Sequence, residues 1–303
     1  MTTTGGGVKE ARVFQGSFPA LVTPFRDEAF DEAAFRNLVE WQISEGSHGL
    51  VPCGTTGEGA TLDSGEHERV VRACVETASG RVGIIAGCGS NDTRHAIALT
   101  RAAKAAGADA ALHVPPYYNR PSQDGIYAHF AAIAEAVDIP IVLYNVPSRT
   151  VTDISVETMG RLAKIANIVA VKDATGNLAR VSAQRIACGT VFVQLSGNDD
   201  LALGFMAMGG RGCISVTANV APRLCADFQN ACLSGDWQAA LSLQDRLSPL
   251  HAALFTDASP GPVKYAVNRV RPDFPANLRL PMTPASEASR RAVDAALAHA
   301  GLA

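Results

Sequence analysis

Residues 167–173 read NIVAVKD, an apolar, largely β-branched run that ends in Lys172 and Asp173 and then falls into the turn ATGN (174–177). β-branched residues suit a pleated strand. A strand that is apolar at successive positions is buried on both faces, as in a parallel sheet covered by helices. Seven similar runs accompany it: SFPALVT (17–23), GLVPC (49–53), RVGIIAG (81–87), DAALHV (109–114), IPIVLYNV (139–146), VFVQLSG (191–197) and GCISV (212–216). Their recurrence, roughly every 20–30 residues, is the mark of a repeated unit. Segments with helical periodicity lie between them, such as DEAAFRNLVEWQISEG (31–46) and NDTRHAIALTRAAKAAG (91–107). Asp31, Ser64, Asn91, Ser122 and Asp153 are placed to start helices, and Gly46, Gly80 and Gly107 to end them.

Strands alternating with helices predict an α/β fold, and closing eight such units gives a (β/α)8 TIM barrel. A doubly wound open sheet is the rival. It lacks its G-x-G-x-x-G signature, because GCGSND (87–92) has no third glycine and follows the third strand. The expected organisation is a flexible leader over 1–12, a barrel over 13–230 and a C-terminal helical extension over 231–303.

The composition narrows the function. The chain has 303 residues, 47% hydrophobic and 18% charged, which suits a well-filled core. A net charge of −3 with no basic run argues against nucleic acid and acidic membranes as partners. No apolar stretch is long enough to span a bilayer and no signal core opens the chain, so the expected location is cytoplasmic. The seven scattered cysteines contain no C-x-x-C pair and read as buried reduced thiols. The histidines show no ligand spacing, and His113 inside a strand reads as a hydrogen-bonded core residue. NDD (198–200) reads as helix capping. No metal site and no cofactor are expected.

In a barrel the chemistry gathers at the C-terminal strand ends. Lys172 is the only one of the five lysines that lies within a strand run. Desolvation there favours the neutral amine, and such amines form Schiff bases with ketones. The alternative is a lysine that reaches the rim and pairs with a carboxylate. Asp173 is a poor partner, since consecutive strand residues face opposite ways. CGTTGE (53–58) supplies two hydroxyls, Thr55 and Thr56, in a glycine-flanked turn fit for a carboxylate or phosphate, or simply a connection from strand to helix. YNVPSRT (144–150) sets the phenol of Tyr144 at a strand end, with Arg149 beyond it as a carboxylate clamp or a solvated surface cation.

Taken together, GTTGE (54–58), PPYYNRPSQ (115–123), YNVPSRT, VKDATGN (171–177), LSGNDD (195–200) and ISVTANVAP (214–222) resemble the dihydrodipicolinate synthase family of pyruvate-dependent lysine aldolases. The resemblance runs from ALVTPF (20–25) to PVKYAV (262–267). It implies that Lys172 condenses with pyruvate and that the resulting enamine adds to aspartate semialdehyde on the lysine pathway. Thr55, Tyr144 and Tyr118 would form a proton relay, with Tyr118 supplied by a neighbouring subunit of a homotetramer. Thr56 would hold the pyruvate carboxylate, Arg149 the second substrate, and Gly197 and Ile214 would line the pocket with backbone groups. Family members sensitive to lysine bind it near the positions of His67, Asn91 and Tyr117. Here Gly59, Ser64 and His95 replace groups that hold that ligand, so inhibition is expected to be weak or absent. Ser259 and Gly261 also depart from the family pattern. A lyase for another 2-keto acid and a non-catalytic binding barrel are the competing readings; the presence of Arg149 weighs against the first and the full relay against the second.

Overall fold

The computed structural model describes residues 14–302, so the expected leader over 1–12 lies outside the described residues. The chain begins with β1 (Gly16–Pro19), a small antiparallel hairpin of β2 (Phe25–Arg26) and β3 (Ala29–Phe30), and α1 (Glu32–Ser44). Next come β4 (Gly49–Leu50), α2 (Ser64–Ala78), β5 (Gly83–Gly87), α3 (Thr93–Ala106), β6 (Ala110–His113) and α4 (Gln123–Ala136). Then β7 (Ile141–Asn145), the short α5 (Pro147–Thr150), α6 (Val156–Leu162), β8 (Ile168–Asp173) and α7 (Ala179–Cys188) follow. The barrel ends with β9 (Val193–Ser196), α8 (Ala202–Ala207), β10 (Gly212–Ser215) and α9 (Pro222–Ser234). Finally α10 (Trp237–Ala253), α11 (Gly261–Val270) and α12 (Glu287–Ala300) form the C-terminal helical extension.

Eight strands pair in the order β1-β10-β9-β8-β7-β6-β5-β4, all in parallel. The ring closes between β1 and β4: the Leu21 N–H donates to the Val51 carbonyl at 2.9 Å, and the Val51 N–H to that of Pro19 at 3.0 Å. The fold is the expected TIM barrel. The expected boundary at 230 falls inside α9, and the chain turns at Gly235, which caps that helix in the left-handed region.

Alternation sorts the strand residues, with one register shift where β7 and β8 begin to pair, between Ile141–Ile168 and Val142–Ala170. Val142 and Tyr144 of β7, Ala170 of β8, Leu195 of β9 and Ile214 of β10 pack together inside the barrel. Ile141 and Leu143 of β7 and Ile168 and Val171 of β8 pack outward with Ile126, Phe130 and Ile133 of α4. A packed lumen leaves the chemistry to the C-terminal strand ends.

Several helix starts differ from the expected caps. Asp31 and Ser122 cap α1 and α4. Asp63 rather than Ser64 caps α2, and Asp92 rather than Asn91 caps α3, because those carboxylates reach the backbone N–H groups of Glu66 and Arg94. Asp153 instead accepts from the Asn145 amide, and Ser155 caps α6. The NDD stretch does not cap α8. The Asp199 carboxylate is buried and accepts from the Ser215 hydroxyl and from the N–H groups of Val216 at 2.8 Å and Thr217 at 3.2 Å.

Candidate active site

β7 and β8 pair with Tyr144 opposite Lys172. Lys172 shares the inward parity of Ala170, so its side chain enters the top of the lumen, where it is 5% exposed. Its Nζ lies 4.1 Å from the centre of the Tyr144 ring. No carboxylate pairs with it among the described residues. Asp173 has the opposite parity and is occupied on the outer face, where it accepts from Gln184 Nε2 and Thr175 Oγ1, both at 2.6 Å. A lysine set against an aromatic face, rather than an acid, keeps its nitrogen free for a carbonyl carbon.

The turn after β4 is bent by two non-glycine residues in the left-handed region, Cys53 (φ 58°) and Glu58 (φ 54°). Inside it the Gly57 N–H donates to Gly54 O and the Glu58 N–H to Thr55 O, both at 3.1 Å. The Thr23 hydroxyl donates to Gly57 O at 2.6 Å and ties the turn to the strand 1 side. Thr56 is buried, whereas Thr55 is exposed. The tightness of this turn accounts for Gly59, since a Cβ there would sit 2.3 Å from the Cys53 carbonyl oxygen.

Above these strand ends lies a cavity of about 340 Å³. Thr55, Tyr144 and Arg149 border it, and Pro281 and Met282 bring a wall from the C-terminal extension. Arg149 stands in the last turn of α5 with no ion-pair partner among the described residues. Lys172 is not on the cavity wall; it stands beside the Tyr144 ring. Gly197 clears space for it, because a Cβ there would lie 3.1 Å from Lys172 Cε and 2.7 Å from Ala174 Cβ. Ile214 is fully buried beside Tyr144 in the lumen cluster.

Tyr118 is not brought into this group within the chain. Its backbone is left-handed (φ 68°) and its side chain is 90% exposed. The loop that carries it is pinned by the Asn119 amide, which donates to Asn91 O at 2.9 Å.

The sequence profile of the dihydrodipicolinate synthetase family matches residues 13–300. The chain belongs to this family. A 4-hydroxy-tetrahydrodipicolinate synthase of Rhizorhabdus wittichii is 68% identical over 291 residues, 96% of this chain and all of that one. The structure of the chloride-inhibited dihydrodipicolinate synthase of Acinetobacter baumannii complexed with pyruvate is 44% identical, with a TM-score of 0.93 over 96% of this chain and all of that one. The enzyme of Cyanidioschyzon merolae with lysine bound is 35% identical, with a TM-score of 0.92 over 96% and 99%. Neither a lyase for another 2-keto acid nor a non-catalytic barrel is favoured by these likenesses. The family is one of lyases.

Other titratable groups near the site of this dihydrodipicolinate synthetase family member are structural. His113 is buried beside the Thr100 hydroxyl at 3.1 Å, and burial takes its pKa down to about 3. All seven cysteines are free, and burial pushes the thiols of Cys53, Cys74 and Cys88 up, so they stay protonated. No helix among the described residues is long and apolar enough to cross a membrane. Sequence reasoning missed the second buried lysine, Lys264, whose amine pairs with Glu58 of the turn. Its signal was available: Lys264 lies among Pro262, Val263, Ala266 and Val267 on the buried side of α11.

Proposed function

We propose that the chain is a 4-hydroxy-tetrahydrodipicolinate synthase that joins pyruvate to aspartate semialdehyde through an imine on Lys172. The observation that carries this reading is the enclosed amine of Lys172 against Tyr144, with no carboxylate paired to it among the described residues. The neutral amine adds to the ketone carbon of pyruvate, and water leaves as the imine forms. Loss of a methyl proton gives the enamine, whose carbon attacks the aldehyde carbon while the aldehyde oxygen takes a proton. The amino group from the semialdehyde then attacks the imine carbon, closes the ring and releases Lys172.

Protons for these steps pass through Thr55, Tyr144 and Tyr118. Thr56, with N–H groups of its turn that are not spent on Gly54 and Thr55 carbonyls, holds the pyruvate carboxylate by hydrogen bonds. Arg149, at the cavity border and without an ion-pair partner among the described residues, receives the carboxylate of the second substrate. Gly197 and Ile214 complete the pocket with backbone groups.

Tyr118 acts from a neighbouring subunit of a homotetramer. An aromatic side chain 90% exposed on a left-handed residue is poorly explained in an isolated chain and well explained under a partner. A cytoplasmic location goes with the pathway. The decisive assay couples turnover to pyruvate and a panel of aldehydes. Preference for aspartate semialdehyde supports the reading, and preference for a sugar aldehyde contradicts it. Hybrids of Tyr118→Phe and Lys172→Ala subunits test the shared site: recovered activity supports it, and none in verified hybrids contradicts it.

A further inference from the structure

The cluster around Lys264 has no part in the steps above. Lys264 sits on α11 with its side chain fully buried. Its Nζ pairs with Glu58 Oε1, donates to the Asn277 carbonyl at 2.6 Å and lies 4.3 Å from the centre of the Phe25 ring. The other Glu58 oxygen accepts the Arg279 backbone N–H at 3.0 Å. The Arg279 guanidinium lies 4.1 Å from the Phe25 ring and holds both oxygens of Glu66, at 2.6 and 2.7 Å. The turn 54–58, the β2 hairpin, α11 and the segment that carries Pro281 and Met282 all meet here.

Two features bear on the role of the cluster. Glu58 holds a left-handed backbone, a conformation that persists in a residue with a side chain only where its surroundings enforce it. A buried ion pair is also a weak source of stability, because both ions lose water. Here burial outweighs the attraction of Glu58 and takes the Lys264 pKa down to about 8, with the Arg279 charge adding to the fall. Stabilisation does not explain the pair, whereas placement of the turn does.

We propose that Lys264 is a positioning residue for pyruvate: through Glu58 it holds the turn 54–58, and with it Thr55 and Thr56, in the form that receives the carboxylate. It touches no substrate. The inference rests on the pyruvate reading above, and it makes the C-terminal extension part of the substrate site.

The test uses the full chain. Lys264→Met leaves Glu58 buried and unpaired, so the main variant is Glu58→Gln with Lys264→Met, which removes both charges at nearly constant volume. The expected result is a rise in KM for pyruvate of about tenfold or more, with KM for aspartate semialdehyde within about threefold and an unchanged melting temperature. Glu58→Gln alone, read in the same way, serves if the double variant does not fold. A KM for pyruvate within about twofold of the unaltered enzyme, in either folded variant, overturns the inference. Absence of a borohydride-trapped pyruvate adduct in the unaltered enzyme overturns the pyruvate reading itself, which is a separate result.

Discussion

Lys172 and Tyr144 are opposite one another in the parallel register of β8 and β7, and the lysine nitrogen lies 4.1 Å from the tyrosine ring centre. The backbone pairing fixes this contact, so it does not depend on a loop. The ring stands beside the amine, and Tyr144 also borders the cavity at the strand ends.

Removing the phenol oxygen separates these two duties. Tyr144→Phe keeps the ring beside Lys172, and it is expected to lower kcat by about 10²-fold, the usual scale for a positioned acid or base. Steady-state kinetics with a check of the fold by circular dichroism measure this. A kcat within about threefold of the unaltered enzyme removes Tyr144 from the relay.

Gly197 is the steric counterpart. Gly197→Ala places a methyl group 3.1 Å from Lys172 Cε and 2.7 Å from Ala174 Cβ. The expected outcome is a drop in kcat/KM for pyruvate of about tenfold, with the melting temperature lowered only slightly. Unchanged kinetics would show that Lys172 uses a different path to the ketone.

The pH dependence of pyruvate binding follows from Lys264. The groups facing it are Glu58 from the turn and Arg279 from the 277–282 segment, with Glu66 behind Arg279. Above about pH 8 the amine loses its proton and Glu58 loses its partner, so KM for pyruvate is expected to climb. Stability moves the other way. The folded pKa of about 8 lies below the ordinary 10.5, so between the two the unfolded chain holds more protons, and this group makes stability rise with pH. Comparing pH profiles of the unaltered enzyme and the Glu58→Gln/Lys264→Met variant measures both. An inflection that survives in the variant belongs to another group.

Much of this was legible in the sequence because strands buried on both faces cannot hide their composition. The run from Ile168 to Val171 could be neither a surface strand nor a linker, and Lys172 was conspicuous within it. The caps were less legible, since Asp63 and Ser64 are both good cap residues and only geometry decides between them. Asp199 was misread because its partners, Ser215, Val216 and Thr217, lie on the next strand end, 16–18 residues away. Lys264 was passed over because a lysine in a helix usually reaches water. Its partner Glu58 lies 206 positions earlier, beyond any local pattern.

Inhibition by lysine is expected to be weak. His67 is buried with its Nε2 2.6 Å from Gly87 O, while Gly59 presents no side chain. His95 is exposed, and the family resemblance places it where lysine-sensitive members are expected to carry a glutamate. A charge-assisted hydrogen bond lost there, worth about 2 kcal/mol, weakens binding more than about tenfold. A lysine titration of initial rates at saturating pyruvate, repeated with His95→Glu, measures this. Sub-millimolar inhibition of the unaltered enzyme would show that the site tolerates His95.

Covalent bonding of Lys172 to pyruvate is read out by borohydride reduction followed by peptide mass spectrometry. A reduced pyruvate adduct is expected on the peptide that contains Lys172, formed only when pyruvate is present and lost in Lys172→Ala. An adduct on another lysine, or full turnover by Lys172→Ala, would contradict it.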